Sequence, residues 1–379
     1  MEGNNNIMDI NRILDEAREL GCSDLHFTAG LPPIVRLHGS IRKLSGYPDC
    51  TEPIIVNIIN QITSIKHKSQ ISKGLDTDFS YVSTSGFRHR VNVYRQRGYH
   101  AVALRLLRND IPTLADLSLP GTLGEFSLAP RGLVLVTGPT GSGKSTTLAA
   151  MIDHINRQKN CHIITVEDPI EYLHTHKQSM VNQREIGQDV DSFAGSLRAA
   201  LREDPDVILV GEMRDFETIN AAVTAAETGH LVLSTLHTND SASTISRLVD
   251  MGIQPYMLAS SLIGIVAQRL VKKICPFCKK PRMSLPEENE LMGIDHSITI
   301  YDAVGCEKCQ NGYKGRTAIH EILLCTPEMS AIIGRNAKTD EIAAMAKKTG
   351  TKLLRDNVSE LVQAGNTSME ELIRVTYAV

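Results

Sequence analysis

The stretch Gly132-Leu-Val-Leu-Val-Thr-Gly138-Pro139-Thr140-Gly141-Ser142-Gly143-Lys144-Ser145-Thr146 decides how the chain is read. Leu133–Val136 is a short, β-rich apolar run. The next residues match Gly-x-x-x-x-Gly-Lys-Ser/Thr, and an amphipathic stretch, Ser145–Arg157, follows. Strand, glycine loop and helix in that order form the context in which this spacing binds phosphate. Glycines let the backbone curl so that successive N–H groups face phosphate oxygens, beside a helix N-terminus with partial positive charge. Gly138–Thr146 is therefore a candidate cradle for ATP. Lys144 would reach the β- and γ-phosphates, and the Ser145 hydroxyl would ligate Mg²⁺. A glycine-rich turn that happens to contain a lysine is the bland alternative, and it does not account for the flanking strand and helix.

Working outward, His162–Val166, Val207–Val210 and Leu231–Leu236 are further short apolar runs. Longer amphipathic or Ala-rich stretches lie between and after them, at Phe193–Arg202, Phe216–Glu227 and Ser241–Val249. This alternation predicts an α/β fold with a mostly parallel sheet covered on both faces. Upstream the texture differs. A helix is expected over residues 9–20, strands at Asp24–Phe27, Ile34–Leu37 and Ile41–Leu44 around a tight His38-Gly39-Ser40 turn, and a helix from Thr51 to about Ile65. Asp78–Val82, Arg88–Tyr94 and Ala101–Leu107 read as three more strands, giving a small α+β domain over 1–110. Pro112, Pro120 and Pro130 with Gly121 and Gly124 make 111–130 read as a linker with little room for regular structure. The rest, 131–379, reads as one domain ending in helical patterns at Asp340–Lys348 and Leu353–Gln363, a helical appendage.

Composition narrows the function classes. With 379 residues, two or three domains are expected. Charged residues are 22% and the net charge is −3, which disfavours both disorder and polyanion binding by bulk charge. Aromatics are 4% and Trp is absent, so base stacking on nucleic acid is not expected. No apolar run reaches membrane-span length, and the N-terminus lacks the layout of a secretory signal. Eight cysteines are too few for a disulfide scaffold, which fits a reducing, cytoplasmic setting.

Val207–Val210 runs into Gly211-Glu212, an acid at the end of a buried strand. Such positions hold water-orienting and metal-water carboxylates, so Glu212 is the candidate that orients or deprotonates an attacking water; solvation or pairing with Arg214 is the alternative. Glu167 and Asp168 also follow a strand, and parallel strands would bring them to the same edge as Glu212. His230 and His237 flank Leu231–Leu236; His237, at the strand's C-terminal end, sits better for sensing phosphate than His230 at its N-terminal end, while residue type alone leaves catalytic and structural roles open for both. Residues 79–109 hold Arg88, Arg90, Arg95, Arg97, Arg105 and Arg108 and no acid. Three readings compete: a solvated sheet face, a nucleic-acid stripe, which the lack of stacking aromatics apart from Tyr94 and Tyr99 disfavours, or arginines that reach a nucleotide bound elsewhere. Cys275-x-x-Cys278 and Cys306-x-x-Cys309, 27 residues apart, carry four thiolates, the donor set of a closed, structural Zn²⁺ site within a module at about 270–315.

Several segments together resemble one family: Gly21-Cys-Ser-Asp24-Leu-His26 with Gly30-Leu-Pro-Pro33, Asp76-Thr-Asp-Phe79, the loop at 138–145, Ile164–Glu171, Leu201-Arg-Glu-Asp-Pro-Asp206, Gly211-Glu-Met-Arg-Asp215 and Ala225-Ala-Glu-Thr-Gly-His230. The chain is similar to the secretion ATPases, and within them to the type IV pilus retraction ATPases. The resemblance implies a homohexameric, peripheral motor at the inner face of the cell membrane, working on an inner-membrane platform protein. It implies an N-terminal PAS-like α+β domain and a RecA-like P-loop motor domain. By the same resemblance Lys144 and Ser145 match the Walker A residues and Glu212 the catalytic glutamate. Glu167 and Asp168 match an acidic box, and His230 and His237 a histidine box. Arg90 and Arg105 match arginines that approach the γ-phosphate. The tetracysteine module and the Leu354–Val375 segment resemble instead the pilus-extension and type II secretion branch. The start of the chain at the PAS-like domain and the Gly-Glu-Met-Arg-Asp spelling favour retraction. A rival from another class is a zinc-containing scaffold that binds nucleotide without turnover.

Overall fold

Asp9 accepts a hydrogen bond from the Asn11 N–H and so opens the first helix, α1 (Ile10–Glu19), in a computed structural model that describes residues 8–37, 39–107 and 110–377. The chain divides into two units. The first holds the described residues up to Asp110 together with Pro169–Leu173, and the second holds the remainder.

In the first unit, strands β1 (Asp24–Phe27), β2 (Ile34–Leu37), β3 (Ser40–Lys43), β4 (Thr77–Val82), β5 (Arg88–Gln96) and β6 (Tyr99–Leu106) form one sheet in the order β3-β2-β1-β6-β5-β4. Every neighbouring pair is antiparallel. Ile10, Ile13, Leu14 and Ala17 of α1 and Ile55, Ile58 and Ile59 of α2 (Glu52–Ile62) pack with Leu25, Val91 and Leu104 of the sheet. Period-two and period-3.6 apolar residues thus meet in one core. The helix expected from Thr51 to about Ile65 ends early. Thr63 is extended, and the Ser64 hydroxyl caps a separate helix, α3 (Ile65–Ser72), by accepting from the His67 N–H. The hairpin between β2 and β3 is present with Leu37 opposite Ser40. His38 of its turn, and Arg108 of the arginine group, lie outside the described residues.

The second unit is built on β7 (Gly132–Thr137), β8 (His162–Glu167), β9 (Met180–Glu185), β10 (Val207–Val210), β11 (Leu231–Leu236), β12 (Leu262–Ile274) and β15 (Tyr313–Leu324), ordered β15-β12-β7-β11-β10-β8-β9. The six strands from β12 to β9 are parallel, and β15 is antiparallel to β12. Leu133 and Leu135 belong to one core cluster, whereas Val134 and Val136 belong to another. The sheet is therefore buried on both faces, as near-continuous apolar strands require. Helices α5 (Lys144–Gln158), α6 (Phe193–Ala200), α7 (Phe216–Glu227), α8 (Ser241–Asp250) and α9 (Pro255–Ser261) fall between the strands or beside them. A RecA-like P-loop unit preceded by a small α+β unit is thus the observed architecture.

Two expectations need correction. The stretch read as having little room for regular structure contains α4 (Gly121–Leu128), started after Pro120, whose φ of −56° already suits a helix entry. Its Leu123 and Phe126 are buried with Val134, Met151 and Ile155, and the Phe126 ring lies where a side chain on Gly264 would sit. The last hundred residues are also more than a helical appendage. With β12 just upstream, β15 completes the main sheet, and β13 (Lys280–Met283) pairs with β14 (Thr299–Asp302) around α10 (Pro286–Met292). The helices α11 (Pro327–Gly334), α12 (Thr339–Lys348), α13 (Leu354–Gln363) and α14 (Met369–Tyr377) follow.

Candidate functional site

The phosphate loop joins β7 to α5, and three of its glycines carry the conformations it needs: φ is 141° at Gly138, 78° at Gly141 and 91° at Gly143. Residues with a Cβ avoid this left-handed region. Gly143 stands at the N-cap of α5, so the first helical N–H groups, from Lys144 onward, are open to an anion. The Lys144 ammonium is buried and donates to the carbonyls of Gly138 at 2.8 Å and Pro139 at 3.1 Å. It thus lies across the loop, next to where phosphate oxygens would be met. Ser145 is exposed on the first turn of α5.

Strand register brings the acids to the same edge. Thr137 at the end of β7 pairs with Leu236 of β11, and Val210 of β10 pairs with Ser234 of β11 and with Val166 of β8. The residues that follow, Gly138, His237, Gly211-Glu212 and Glu167, therefore sit at neighbouring C-terminal strand ends, the edge where open α/β sheets bind ligands. Backbone and side-chain bonds fix this edge. The Gly211 N–H donates to Val166 O at 2.8 Å, the Thr235 hydroxyl to Gly211 O at 2.7 Å, and the Met213 N–H to Thr235 O at 3.1 Å. One Glu212 oxygen takes the Arg214 guanidinium at 2.7 Å, and the other stands 3.7 Å from His237 Nε2. Burial holds the His237 pKa below its ordinary value, and the Lys144 charge lowers it further against the opposing pull of Glu212. Glu167 accepts from the Thr165 hydroxyl at 2.7 Å and from the Gln183 amide at 3.1 Å, while Asp168 beside it is exposed.

His230 is not brought to this group. It precedes β11, its ring nitrogen meets Ala225 O at 2.9 Å, and the six residues of β11 separate it from His237. At about 3.3 Å per residue that is roughly 20 Å. Sequence reasoning also missed Gln268 on β12, a buried residue whose side chain bonds the phosphate loop directly. Its signal was present: one carboxamide inside the apolar run Leu262–Val271.

In the first unit, Arg90 and Arg105 are directly opposite each other on β5 and β6. Both are exposed, and Asp24 and Arg36 extend the same cross-strand row over β1 and β2. Arg105 donates to Asp24 at 3.2 Å, and Arg90 faces Asp78 at 3.7 Å. Two guanidinium groups held side by side on a sheet face suit a phosphate ligand, although a row of exposed ion pairs needs none.

The four cysteines of the two Cys-x-x-Cys pairs converge between β12 and β15. Their sulfurs all lie within 4.8 Å of one another. Cys275–Cys306 is 4.0 Å, and Cys278–Cys309 and Cys306–Cys309 are each 3.7 Å. A tetrahedron of thiolates about 2.3 Å from zinc has edges of about 3.8 Å, so the donor set fits that ion.

Known proteins resemble this chain over most of its length. A family model described as "Type II/IV secretion system protein" matches residues 90–374. The chain belongs to that family. The type IV pilus retraction ATPase PilT of Pseudomonas aeruginosa is 46% identical over 273 residues, covering 70% of this chain and 79% of that protein. Type II secretion system protein E of Dickeya dadantii is 47% identical over 382 residues, covering 97% of this chain and 75% of that protein. A solved structure of the pilus retraction motor PilT with bound ADP superposes with a TM-score of 0.82 at 40% identity, covering 97% of both chains. The chain is a P-loop ATPase of the type II/IV secretion family. Among the described residues no helix is long and apolar enough to cross a membrane.

Proposed function

We propose that this ATPase retracts a type IV pilus, working as a homohexameric ring on a platform protein at the inner face of the cell membrane. The observation that carries the reading is the correspondence, over 97% of each chain, with a pilus retraction motor. We further take 1–110 as the PAS-like domain and 131–379 as the motor domain, with the linker reading of 111–130 restricted to the residues before α4.

In this reading the N–H groups of Gly141, Gly143 and Lys144 receive the β-phosphate and Lys144 moves from its loop carbonyls onto the γ-phosphate. The Ser145 hydroxyl, with Asp168 nearby in sequence to the strand-end acids, is the oxygen set that would hold Mg²⁺, whose chemistry is to neutralise charge on the β- and γ-phosphates. Glu212 orients the attacking water, and neutral His237 donates toward the γ-phosphate or the carboxylate. Glu167 positions the edge beside Glu212. Arg90 and Arg105 supply guanidinium charge as it develops on the transferred phosphate. His230 contributes outside the group gathered here. Cys275, Cys278, Cys306 and Cys309 are the four thiolates that would hold a Zn²⁺ ion, whose role there would be structural.

A second reading, pilus extension or type II secretion, is favoured by the tetracysteine cluster and by the 47% identity to the secretion protein. A non-hydrolysing scaffold is disfavoured because Glu212, 3.7 Å from His237 at the strand-end edge, is a carboxylate suited to orienting water. Surface pili are counted in cells carrying Glu212→Gln. More pili with lost twitching support retraction; bald cells overturn it in favour of extension.

A further inference from the structure

We propose that Gln268 is a positioning residue of the phosphate loop, holding the Ser142–Gly143 peptide so that its N–H faces the nucleotide. The proposal rests on the reading that Gly138–Thr146 binds ATP phosphates. Gln268 is 1% exposed in the middle of β12. Its amide donates to the Ser142 carbonyl at 2.7 Å, and its carbonyl accepts from the Thr147 hydroxyl at 2.8 Å. The carboxamide is thus satisfied by the loop on one side and the first turns of α5 on the other, as a buried amide must be.

The consequence follows from peptide geometry. In a trans peptide the C=O of one residue and the N–H of the next point in opposite directions. Anchoring the Ser142 carbonyl on Gln268 therefore aims the Gly143 N–H away from β12. Gly141 and Gly143 both have positive φ, so the backbone on either side of Ser142 is soft, and nothing in its own sterics fixes that orientation. The Gly143 carbonyl is committed to the Thr147 N–H at 3.0 Å, which leaves Gln268 as the lock on the preceding peptide. The fit is close. A Cβ on Gly143 would lie 2.9 Å from Gln268 Nε2, and one on Gly138 would lie 2.3 Å from the Gln268 backbone oxygen.

The test uses the full chain with Gln268→Glu, which keeps the acceptor for Thr147 and replaces the donor by a carboxylate against the Ser142 carbonyl. ADP binding is measured by calorimetry, with the KM for ATP and the melting temperature without nucleotide. The expected result is ADP binding weaker by about tenfold or more, with KM raised to match. ADP affinity and KM within twofold of wild type overturn the proposal, and so does a lowered melting temperature with unchanged KM. If Gln268→Glu does not fold, Gln268→Met removes the donor to the Ser142 carbonyl at similar length and volume, and unchanged ADP affinity there overturns the proposal. Lys144→Ala separates the two readings, because it loses ADP binding if the loop is the nucleotide cradle, whatever Gln268 contributes. A wild-type protein that binds no ADP refutes that cradle itself.

Discussion

His237 Nε2 and Glu212 face each other at 3.7 Å, with Arg214 on the second carboxylate oxygen at 2.7 Å. The acid is therefore held between a fixed cation and an imidazole whose pKa burial and Lys144 both lower. A neutral His237 leaves Glu212 able to hold a water; a protonated one competes for the same oxygen. ATP turnover should accordingly fall on acidification with a midpoint below the ordinary histidine value of about 6.5. His237→Asn should lower turnover and remove that acid limb. A limb unchanged in His237→Asn would assign it to another group.

Glu212→Gln tests the water-activating role more directly. Its amide keeps the shape but cannot act as a base, so turnover should fall by about 100-fold or more while ADP binding stays near wild type. Phosphate release and ADP affinity measured on the same preparation check this. Turnover retained within tenfold would return Glu212 to a structural partner of Arg214.

Much of this candidate site is legible in the sequence because its chemistry is local there. Loop, lysine and strand-end acids each sit within a strand–loop–helix unit, and parallel pairing brings such ends together without side-chain detail. The tetracysteine spacing was legible for the same reason. What the sequence hid was non-local. Leu262–Ile274 is buried almost throughout and so lacks the alternation that marks a strand. Missing β12 meant missing Gln268, whose role exists only because the strand passes under the loop. His230 frames the same strand as His237, and the direction of that strand, readable in the sequence, already set it at the far edge.

Gly138 and Gly141 should separate crowding from strain. Alanine at Gly138 meets both a φ of 141° and the Gln268 oxygen at 2.3 Å, whereas alanine at Gly141 meets a φ of 78° in open space. Gly141→Ala should cost about 1–2 kcal/mol of strain and weaken ADP modestly. Gly138→Ala should abolish ADP binding and lower the melting temperature. Equal effects of the two would argue that β12 does not press on the loop.

Stability should decline on acidification through buried imidazoles in both units. His89 is fully buried, with no partner for either ring nitrogen among the described residues, and burial with the Arg18 charge pushes its pKa down to about 4. In the second unit His174 and His320 are each pushed down to about 4, chiefly by burial. Between about 6.5 and these lowered values the unfolded chain binds protons that the folded chain refuses, so stability is full above about pH 6.5 and is lost as pH falls toward 4. Each site contributes up to roughly 3 kcal/mol over that window. Melting curves from pH 7.5 to 4 should show the loss, and His89→Phe should flatten its share. A pH-independent melting temperature over this range would contradict the burial argument.

The tetracysteine site should behave as a local staple. Purified protein should carry one zinc per chain, and Cys278→Ser should lose it, because three thiolates leave an open position at a site built closed. The effect should stay local, since the inserted hairpin has its own anchor. Met292 and Ile300 pack with Val358 and Val362 of α13, independently of the sulfurs. Chelation should therefore raise amide exchange around Cys275–Lys279 and Cys306–Gly312, where the Lys279 N–H bonds Cys275 O and the Cys309 N–H bonds Cys306 O at 3.2 Å each. The paired strands β13 and β14 should keep most of their protection, and β7 and β11 all of it. Exchange spreading through β13 and β14 on metal removal would mean that the ion, and not the apolar contact with α13, holds the module to the rest of the second unit.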